Sequence, residues 1–314
     1  MIQEQTLTLG PEGRLLATLT LPHGSAAGRG APTALLTNSG VISRVGPHRI
    51  NVHIARRLAK RGIASIRFDL SGLGDSRRAP GSRPQLEQWA ADTVSVMDWA
   101  AERLGSDAFF MVGLCSGAEV AFRSALVDER LRGVLLWDMY AYPTAKSRRR
   151  ALTFRLRRAG PAGILRKLVA LAGRLIGMAP AAANEERRLA VLEPHRRPPI
   201  EQHAADLQSL VDRGTRVLVM FCGGEPEWYN YPGQFHEAMA RFPGVVRDVG
   251  CEYLAESNHL LTQHASREVF IASLQRWLDE AVLPAAAPSL PPAPQSPEPP
   301  AQPAPLTSPL AAQT

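Results

Sequence analysis

The chain of 314 residues is long enough for one large α/β domain or two small ones, with 45% apolar and 21% charged residues and a net charge of +7. No apolar run reaches the roughly 20 residues of a membrane span, and Met1–Gln5 lacks the basic start of a signal peptide. Three widely spaced cysteines, Cys115, Cys222 and Cys251, indicate neither a disulfide framework nor a zinc site. We therefore expect a cytoplasmic protein that holds no metal.

Strand-like and helix-like stretches alternate from the N-terminus to residue 283. Leu15–Leu21 has the alternating apolar positions of an early antiparallel strand. Apolar runs typical of strands buried on both faces follow at Thr33–Thr37, Ile63–Phe68, Phe109–Leu114, Gly133–Trp137 and Arg216–Phe221. Helix-like stretches lie between and after them, at His48–Arg61, Gln85–Arg103, Gly117–Val127, Ala204–Arg213 and Arg267–Leu283. This alternation predicts a mostly parallel central sheet with helices on both faces.

Residues 139–199 interrupt the alternation. The segment has no strand signal, and its helix-like pieces are broken at Gly160-Pro161, Gly177 and Pro180. It carries ten Lys or Arg residues between Lys146 and Arg174 and no acidic residue before position 185. Apolar residues recur at helical spacing at Leu165, Leu168, Val169, Ala172 and Ile176. We predict a basic, amphipathic helical lid inserted over the sheet.

The last segment, residues 284–314, is rich in Pro and Ala and has a single charged residue, Glu298. Such a composition buries too little apolar surface to offset the entropy of ordering. The segment is predicted to be disordered, which leaves residues 1–283 as the functional domain.

The sequence GLCSGA at 113–118 follows an apolar strand and precedes a helix of small residues. It matches the nucleophile elbow, in which the reactive residue stands on a tight turn between two glycines. Gly113 and Gly117 have this spacing only if Cys115 is central, since a turn centred on Ser116 would place Leu114 and Ala118 at the crowded positions. The spacing therefore indicates a thiol nucleophile. The competing interpretation is a plain strand-to-helix turn with a buried, unreactive cysteine.

A thiol nucleophile needs a base, and two histidines stand near the end of the domain. His259 lies on a loop between the last strand signal and the final helix, where a histidine in this chain order is expected. His264 is the rival, but it lies toward the final helix and farther from the strand end. We therefore assign the base to His259.

The third member of the triad is expected at the carboxyl end of a strand. Glu225 follows the Arg216–Phe221 strand just after a Gly-Gly pair, and a carboxylate there would fix the tautomer of the histidine. Glu227 and Asp138, which ends the preceding strand, could take its place. Glu225 is the assignment from sequence.

An oxyanion hole requires two backbone N–H groups. One is expected from Ser116, the residue after the nucleophile, and one from the loop after the Thr33–Thr37 strand. In that loop Gly40 permits an inward turn of the backbone, so the second donor is Val41 or Gly40 itself. The His-Gly pair usual in this loop is absent.

With these residues placed, the chain resembles the α/β-hydrolase superfamily over about residues 1–283. Within it, RVGPHR at 44–49, RFDLSGLGDS at 67–76 and GLCSGA at 113–118 resemble the exosortase-associated hydrolases, bacterial proteins that also carry cysteine at the elbow. The resemblance implies the α/β-hydrolase fold and a structural role for the 69–76 block at the rim of the sheet. It leaves two roles open for Arg44, His48 and Arg49: lining the mouth of the substrate pocket, or anchoring a loop through backbone carbonyls.

A thiolate paired with imidazolium can attack an ester or thioester and form an acyl-cysteine, with His259 as base and then as acid. No cofactor is needed. The leading hypothesis is a hydrolase of carboxylic esters or thioesters. The second is an acyltransferase that passes the acyl group to an alcohol, amine or thiol. The third is a catalytically inactive hydrolase fold that serves as a binding protein.

The basic segment 139–199 indicates which kinds of partner the protein could bind. It could steer a small acyl substrate carried by coenzyme A or a carrier protein, or it could contact an anionic membrane surface. The third interpretation is a solvated helix face beside its own apolar stripe. Nucleic acid is not expected, because the chain has no recognised binding motif and no interleaved aromatic residues.

Overall fold

The computed structural model describes residues 2–22, 32–175 and 197–283, and in these ranges eight strands form one sheet in the order β1-β2-β4-β3-β5-β6-β7-β8. The strands are β1 (Gln3–Leu9), β2 (Leu15–Leu21), β3 (Thr33–Leu36), β4 (Ser65–Phe68), β5 (Phe109–Leu114), β6 (Leu131–Trp137), β7 (Arg216–Cys222) and β8 (Gly250–Leu254). β2 pairs antiparallel with β1 and with β4, and the remaining pairs are parallel. The sheet is mostly parallel, as the sequence predicts.

Helices cover both faces of this sheet. They are α1 (Ile50–Lys60), α2 (Gln85–Leu104), α3 (Ser116–Val127), α4 (Ala145–Leu175), α5 (Ile200–Asp212), α6 (Gln234–Ala238), α7 (Pro243–Asp248) and α8 (His264–Trp277). Successive side chains of a strand point to opposite faces, so β5 contributes to two cores. Phe109 and Met111 pack with α2, α3 and α5, whereas Phe110 and Val112 pack with α1 and α8.

The predicted elements agree with the observed ones to within a few residues, but β1, β8 and the short helices α6 and α7 are observed and not predicted. β1 is not predicted, because its sequence QEQTLTL has no apolar run and most of its side chains are exposed. No described helix is both long and apolar enough to cross a lipid bilayer.

Residues 139–175 of the predicted lid contain no strand, and α4 is interrupted at Gly160, whose φ of 63° and ψ of 176° are not helical. This is the break expected at Gly160-Pro161. Gly177 and Pro180 lie outside the described residues, as does the segment 284–314. The role of the segment as a lid stays a prediction.

The parallel strands position the candidate site, because their carboxyl ends meet at one edge of the sheet. Cys115 directly follows β5, Asp138 directly follows its neighbour β6, and the loop after β8 carries His259. The loop after β3 begins at Thr37 and lies at the same edge. Residues far apart in sequence are therefore brought together by the sheet order.

Candidate active site

Cys115 stands on a tight turn between β5 and α3. Its φ of 57° and ψ of −125° are a strained conformation for a residue with a side chain. A Cβ at Gly113 would lie 2.3 Å from the carbonyl oxygen of Gly117, and one at Gly117 would lie 2.4 Å from that of Asn38. Both positions must therefore be glycine for this turn to close.

His259 contacts both the thiol and a carboxylate. Its Nδ1 lies 2.9 Å from Oδ2 of Asp138, which leaves Nε2 for Cys115. The hydrogen bond with Asp138 and then the one with Cys115 raise the pKa of His259 to about 10, against the opposing effect of burial. The direction of this shift is the one expected for an imidazole that lies between a carboxylate and a thiol.

Asp138 is held in place at the end of β6. Its backbone N–H donates to the carbonyl of Met220 at 2.8 Å, and its Oδ1 accepts the N–H of Cys222 at 2.8 Å. The φ of Asp138 is 51°, so the chain turns sharply where the strand ends. One carboxylate oxygen is thus fixed by β7, and the second is directed to His259.

Trp137 joins the backbone of Cys115 to that of His259 through two hydrogen bonds. Its carbonyl accepts the N–H of Cys115 at 3.0 Å, and its indole Nε1–H donates to the backbone carbonyl of His259 at 2.9 Å. The ring is fully buried and meets Phe270 of α8 edge to face. Nothing in the residue pattern singles out Trp137 for this role, which depends on β6 lying beside β5.

The assignment of the triad carboxylate to Glu225 is corrected by this geometry, because the carboxylate bonded to His259 is that of Asp138. The side chain of Glu225 is exposed. The Gly-Gly pair serves another purpose: a Cβ at Gly223 would lie 2.0 Å from the carbonyl oxygen of Ala255, and one at Gly224 would lie 2.7 Å from Cα of Asn258. The two glycines make room for the histidine loop.

Glu227 and His264 lie away from the Cys115–His259 contact. Glu227 forms an ion pair with Arg155 of α4 at 2.7 Å. His264 begins α8, where its side chain is 79% exposed and lies 3.9 Å from Glu268. The structure thus brings together Cys115 and His259 as predicted from sequence, with Asp138 as the carboxylate.

The predicted oxyanion loop packs directly against the elbow. The N–H of Gly40 donates to the hydroxyl of Ser116 at 2.8 Å. Val41 lies at the tip of a turn closed by two hydrogen bonds between Ser39 and Ile42, and its side chain is 86% exposed. Ser116 is the first residue of α3, where backbone N–H groups have no partner within the helix. The loop therefore lies beside the elbow, and its role as part of an oxyanion hole stays a prediction.

The motif at 44–49 divides into an anchored and an exposed part. Arg44 donates from Nη1 to Asp69 at 2.6 Å and to Asp75 at 2.8 Å, and this favours loop anchoring over contact with a substrate. The anchor uses carboxylates and not the carbonyls expected. His48 and Arg49 are exposed, with φ values of 48° and 61° just before α1. Their proposed position at the pocket mouth stays a prediction.

Cys222 and Cys251 lie in surroundings that disfavour reaction of their thiols. Burial raises the pKa of Cys222, the last residue of β7, and the nearby Asp138 carboxylate raises it further. Burial also raises the pKa of Cys251 to about 11. Cys115 alone among the three cysteines contacts an imidazole in the part of the chain that the structure describes.

Comparisons with known proteins agree with the fold. The family model described as "Serine aminopeptidase, S33" matches residues 44–158, which include Cys115 and Asp138 but not His259. A search of curated proteins gives no match.

Among solved structures, a serine hydrolase without a lid from Xanthomonas campestris is 17% identical, with a TM-score of 0.52 over 91% of this chain and 97% of that one. Est1E from Butyrivibrio proteoclasticus is 16% identical, with a TM-score of 0.51 over 88% and 98%. An esterase from Pyrococcus furiosus is 14% identical, with a TM-score of 0.53 over 90% and 91%. Together with the sheet order and the elbow between β5 and α3, these likenesses show that the chain has the α/β-hydrolase fold.

Proposed function

We propose that the protein is a hydrolase of carboxylic esters or thioesters that works through an acyl-cysteine intermediate on Cys115. The observation that carries the proposal is the chain of contacts from the Cys115 thiol through His259 to Asp138. A nucleophile, a base and an orienting carboxylate in this order are the requirements for acyl transfer at a carbonyl. The strained turn at Cys115 supports the same role, because the residue lies between a strand and a helix in the backbone conformation expected of a nucleophile elbow.

In the acylation step the thiolate attacks the carbonyl carbon, and a C–S bond forms. The carbonyl oxygen becomes an oxyanion near the backbone N–H of Ser116 at the start of α3, where the helix dipole also favours negative charge. The C–O or C–S bond to the leaving group then breaks. His259 gives its proton to the departing alkoxide or thiolate, and Asp138 holds the ring throughout.

In the deacylation step His259 must act as a base. While Cys115 is a thiolate, its negative charge helps to keep His259 protonated. Acylation removes that charge, so the pKa of the imidazole falls and the ring can take a proton from water. Water attacks the acyl carbon, the C–S bond breaks, and the carboxylic acid leaves the restored thiolate–imidazolium pair.

The test is to trap the intermediate. The protein is incubated with p-nitrophenyl acyl esters and with acyl thioesters, and the intact mass and the peptide containing Cys115 are measured. The proposal requires an acyl adduct on Cys115 that forms as the leaving group is released and decays to free acid. An adduct on another residue, or leaving-group release without any dependence on Cys115, would overturn it.

The same experiment distinguishes hydrolysis from acyl transfer and from an inactive fold. If added alcohols, amines or thiols capture the acyl group faster than water does, the protein is an acyltransferase. If no ester or thioester produces an adduct or turnover, the inactive binding protein remains.

A further inference from the structure

The helix α4 presents an unusual outer surface, which we call the basic face. Eight of its Lys and Arg side chains up to residue 166 are exposed, namely Lys146, Arg148, Arg149, Arg150, Arg155, Arg157, Arg158 and Arg166. No acidic residue occurs anywhere on the helix. The ion pair described for it joins Arg155 to Glu227 of a neighbouring loop.

Large apolar side chains stand among these cations. Leu152 is 57% exposed and Leu156 is 43% exposed. Residues three or four apart are neighbours on a helix, so Leu152 is bordered by Arg148, Arg149 and Arg155. An isolated exposed leucine is ordinary, but a leucine pair within a ring of arginines is a patterned surface.

This surface faces away from the protein. Ser147 and Ala151 are buried and mark the inner side of the helix. Leu152 follows Ser147 by five positions and Leu156 follows Ala151 by five, which places each about 140° around the helix from the inner side. The two leucines therefore project outward instead of closing the core.

Two features extend the surface beyond the helix. Trp228 is 57% exposed and follows Glu227, the partner of Arg155. A groove of about 900 Å³ at the start of α4 is lined by three guanidinium groups, Arg148, Arg197 and Arg241, against one carboxylate, Glu237. Exposed apolar and indole side chains with many cations are the composition that inserts at the headgroup level of a lipid bilayer.

We propose that the basic face is a docking surface for an anionic lipid bilayer. The cations are drawn to anionic headgroups, and Leu152, Leu156 and Trp228 enter the boundary between headgroups and acyl chains. The helix begins one short loop after Asp138. Docking would therefore hold the carboxyl edge of the sheet near the membrane, where a lipid-like acyl substrate is concentrated. The docking itself does not depend on the chemistry at Cys115.

The test is vesicle flotation of the full chain without substrate. We expect binding to vesicles of phosphatidylcholine with about 30% phosphatidylglycerol to exceed binding to pure phosphatidylcholine by at least about tenfold. Arg148→Gln combined with Arg149→Gln should weaken that binding by about tenfold, and added salt should weaken it further. Leu152→Ser combined with Leu156→Ser should remove the binding that persists in high salt.

A matched control changes two exposed arginines outside α4, Arg78→Gln and Arg103→Gln, with the same loss of net charge. Binding by this control should stay within about twofold of the unchanged protein, and circular dichroism confirms that each variant is folded. Equal binding to both kinds of vesicle would overturn the proposal, as would equal losses in the helix and control variants. A change in KM for a soluble acyl thioester without vesicle binding would assign the face to a soluble carrier and also overturn it.

Failure of this proposal and failure of the proposed function are distinguishable. Cys115→Ala should float with vesicles as the unchanged protein does, whether or not the protein hydrolyses esters. Loss of vesicle binding in that variant would contradict a docking surface that is confined to α4 and its surroundings.

Discussion

The carboxyl ends of β5 and β6 differ from that of β7, although a cysteine and a carboxylate are found at both places. Cys115 and Asp138 directly follow β5 and β6, whereas Cys222 is the last residue of β7 and Glu225 lies three residues beyond it. The first pair meets at His259. In the second pair the thiol is buried in the core and the carboxylate is exposed.

The difference lies in the backbone. Cys115 and Asp138 both have positive φ, so the chain turns sharply directly after β5 and after β6. Cys222 is still part of a strand, and its side chain packs into the core on the side of α1 and α8. Of these two thiols, the one that contacts an imidazole is the one at the sharp turn.

The largest expected effect separates the two cysteines. Cys115→Ala should lower kcat/KM for an ester substrate by about 10³-fold or more, because the nucleophile is lost. Cys222→Ala should lower kcat/KM by about tenfold at most, because it removes only the contact of its thiol with Asp138, and should cost about 1 kcal/mol of stability through a small cavity. Steady-state kinetics and urea unfolding of both variants measure these effects, and comparable kinetic losses would mean that the strand ends are not different in function.

The second effect separates the two carboxylates. Asp138→Asn should lower kcat/KM by about 10²- to 10⁴-fold, because the amide no longer holds the imidazolium in its orientation. Glu225→Gln should change it by less than about twofold, since that side chain is exposed. If Glu225→Gln lowered kcat/KM more than Asp138→Asn did, Glu225 would be the carboxylate that supports catalysis. The contact between Asp138 and His259 would then have no role in the reaction.

A third experiment compares the thiols without turnover. At pH 6 to 7 iodoacetamide should label Cys115 at least about 100-fold faster than Cys222 or Cys251, because a thiolate is the reacting form and the pKa of Cys251 is raised to about 11. The pKa of Cys222 is raised as well. Peptide mass spectrometry over time gives the three rates. His259→Ala should slow the labelling of Cys115 alone, and a uniform slowing would indicate a general loosening of the fold.

The pH dependence sharpens the role of Asp138. The raised pKa of His259 keeps the imidazolium available as an acid until the pH passes about 10, so kcat/KM should fall on the alkaline side near that value. In Asp138→Asn the largest cause of the raised pKa is removed, so the alkaline fall in kcat/KM should occur at a pH lower by about one unit or more. If kcat/KM fell at the same pH in both proteins, a group other than His259 would control that fall.

The same shift has a consequence for stability. A histidine whose pKa is higher in the folded protein than its ordinary value of 6.5 stabilises the fold fully below that value, and the contribution is lost as the pH rises to about 10. The difference in Tm between the unchanged protein and Asp138→Asn should therefore shrink over this interval.

How much of this fold the sequence predicts depends on the physical property that each sequence pattern reflects. Apolar runs and the Gly113–Gly117 spacing report local burial and crowding, so they predict β2 to β7 and the elbow. β1 pairs at the edge with mostly exposed side chains, and no apolar run marks it. The Gly223-Gly224 pair is visible in the sequence, but nothing in the sequence says which loop packs against it.

The carboxylate that contacts His259 is harder to predict for a related reason. Asp138 and Glu225 both follow strands, and the choice between them depends on the sharp turn at Asp138 and on the lateral position of β6 beside β5. Neither is visible in residue periodicity. The same holds for Trp137, whose two hydrogen bonds span the elbow and the histidine loop.

The smallest expected effect concerns Ser116, which lies at the same strand end as Cys115. Its hydroxyl accepts the N–H of Gly40 at 2.8 Å, so that amide is occupied and the hydroxyl proton is left to donate. If the hydroxyl is the second donor to the oxyanion, Ser116→Ala should lower kcat about tenfold with little change in KM, since the interaction forms only in the transition state. Ser116→Thr retains a hydroxyl and should recover part of the rate. An increase in kcat for Ser116→Ala would show instead that the hydroxyl blocks Gly40, and the glycine amide would then be the second donor.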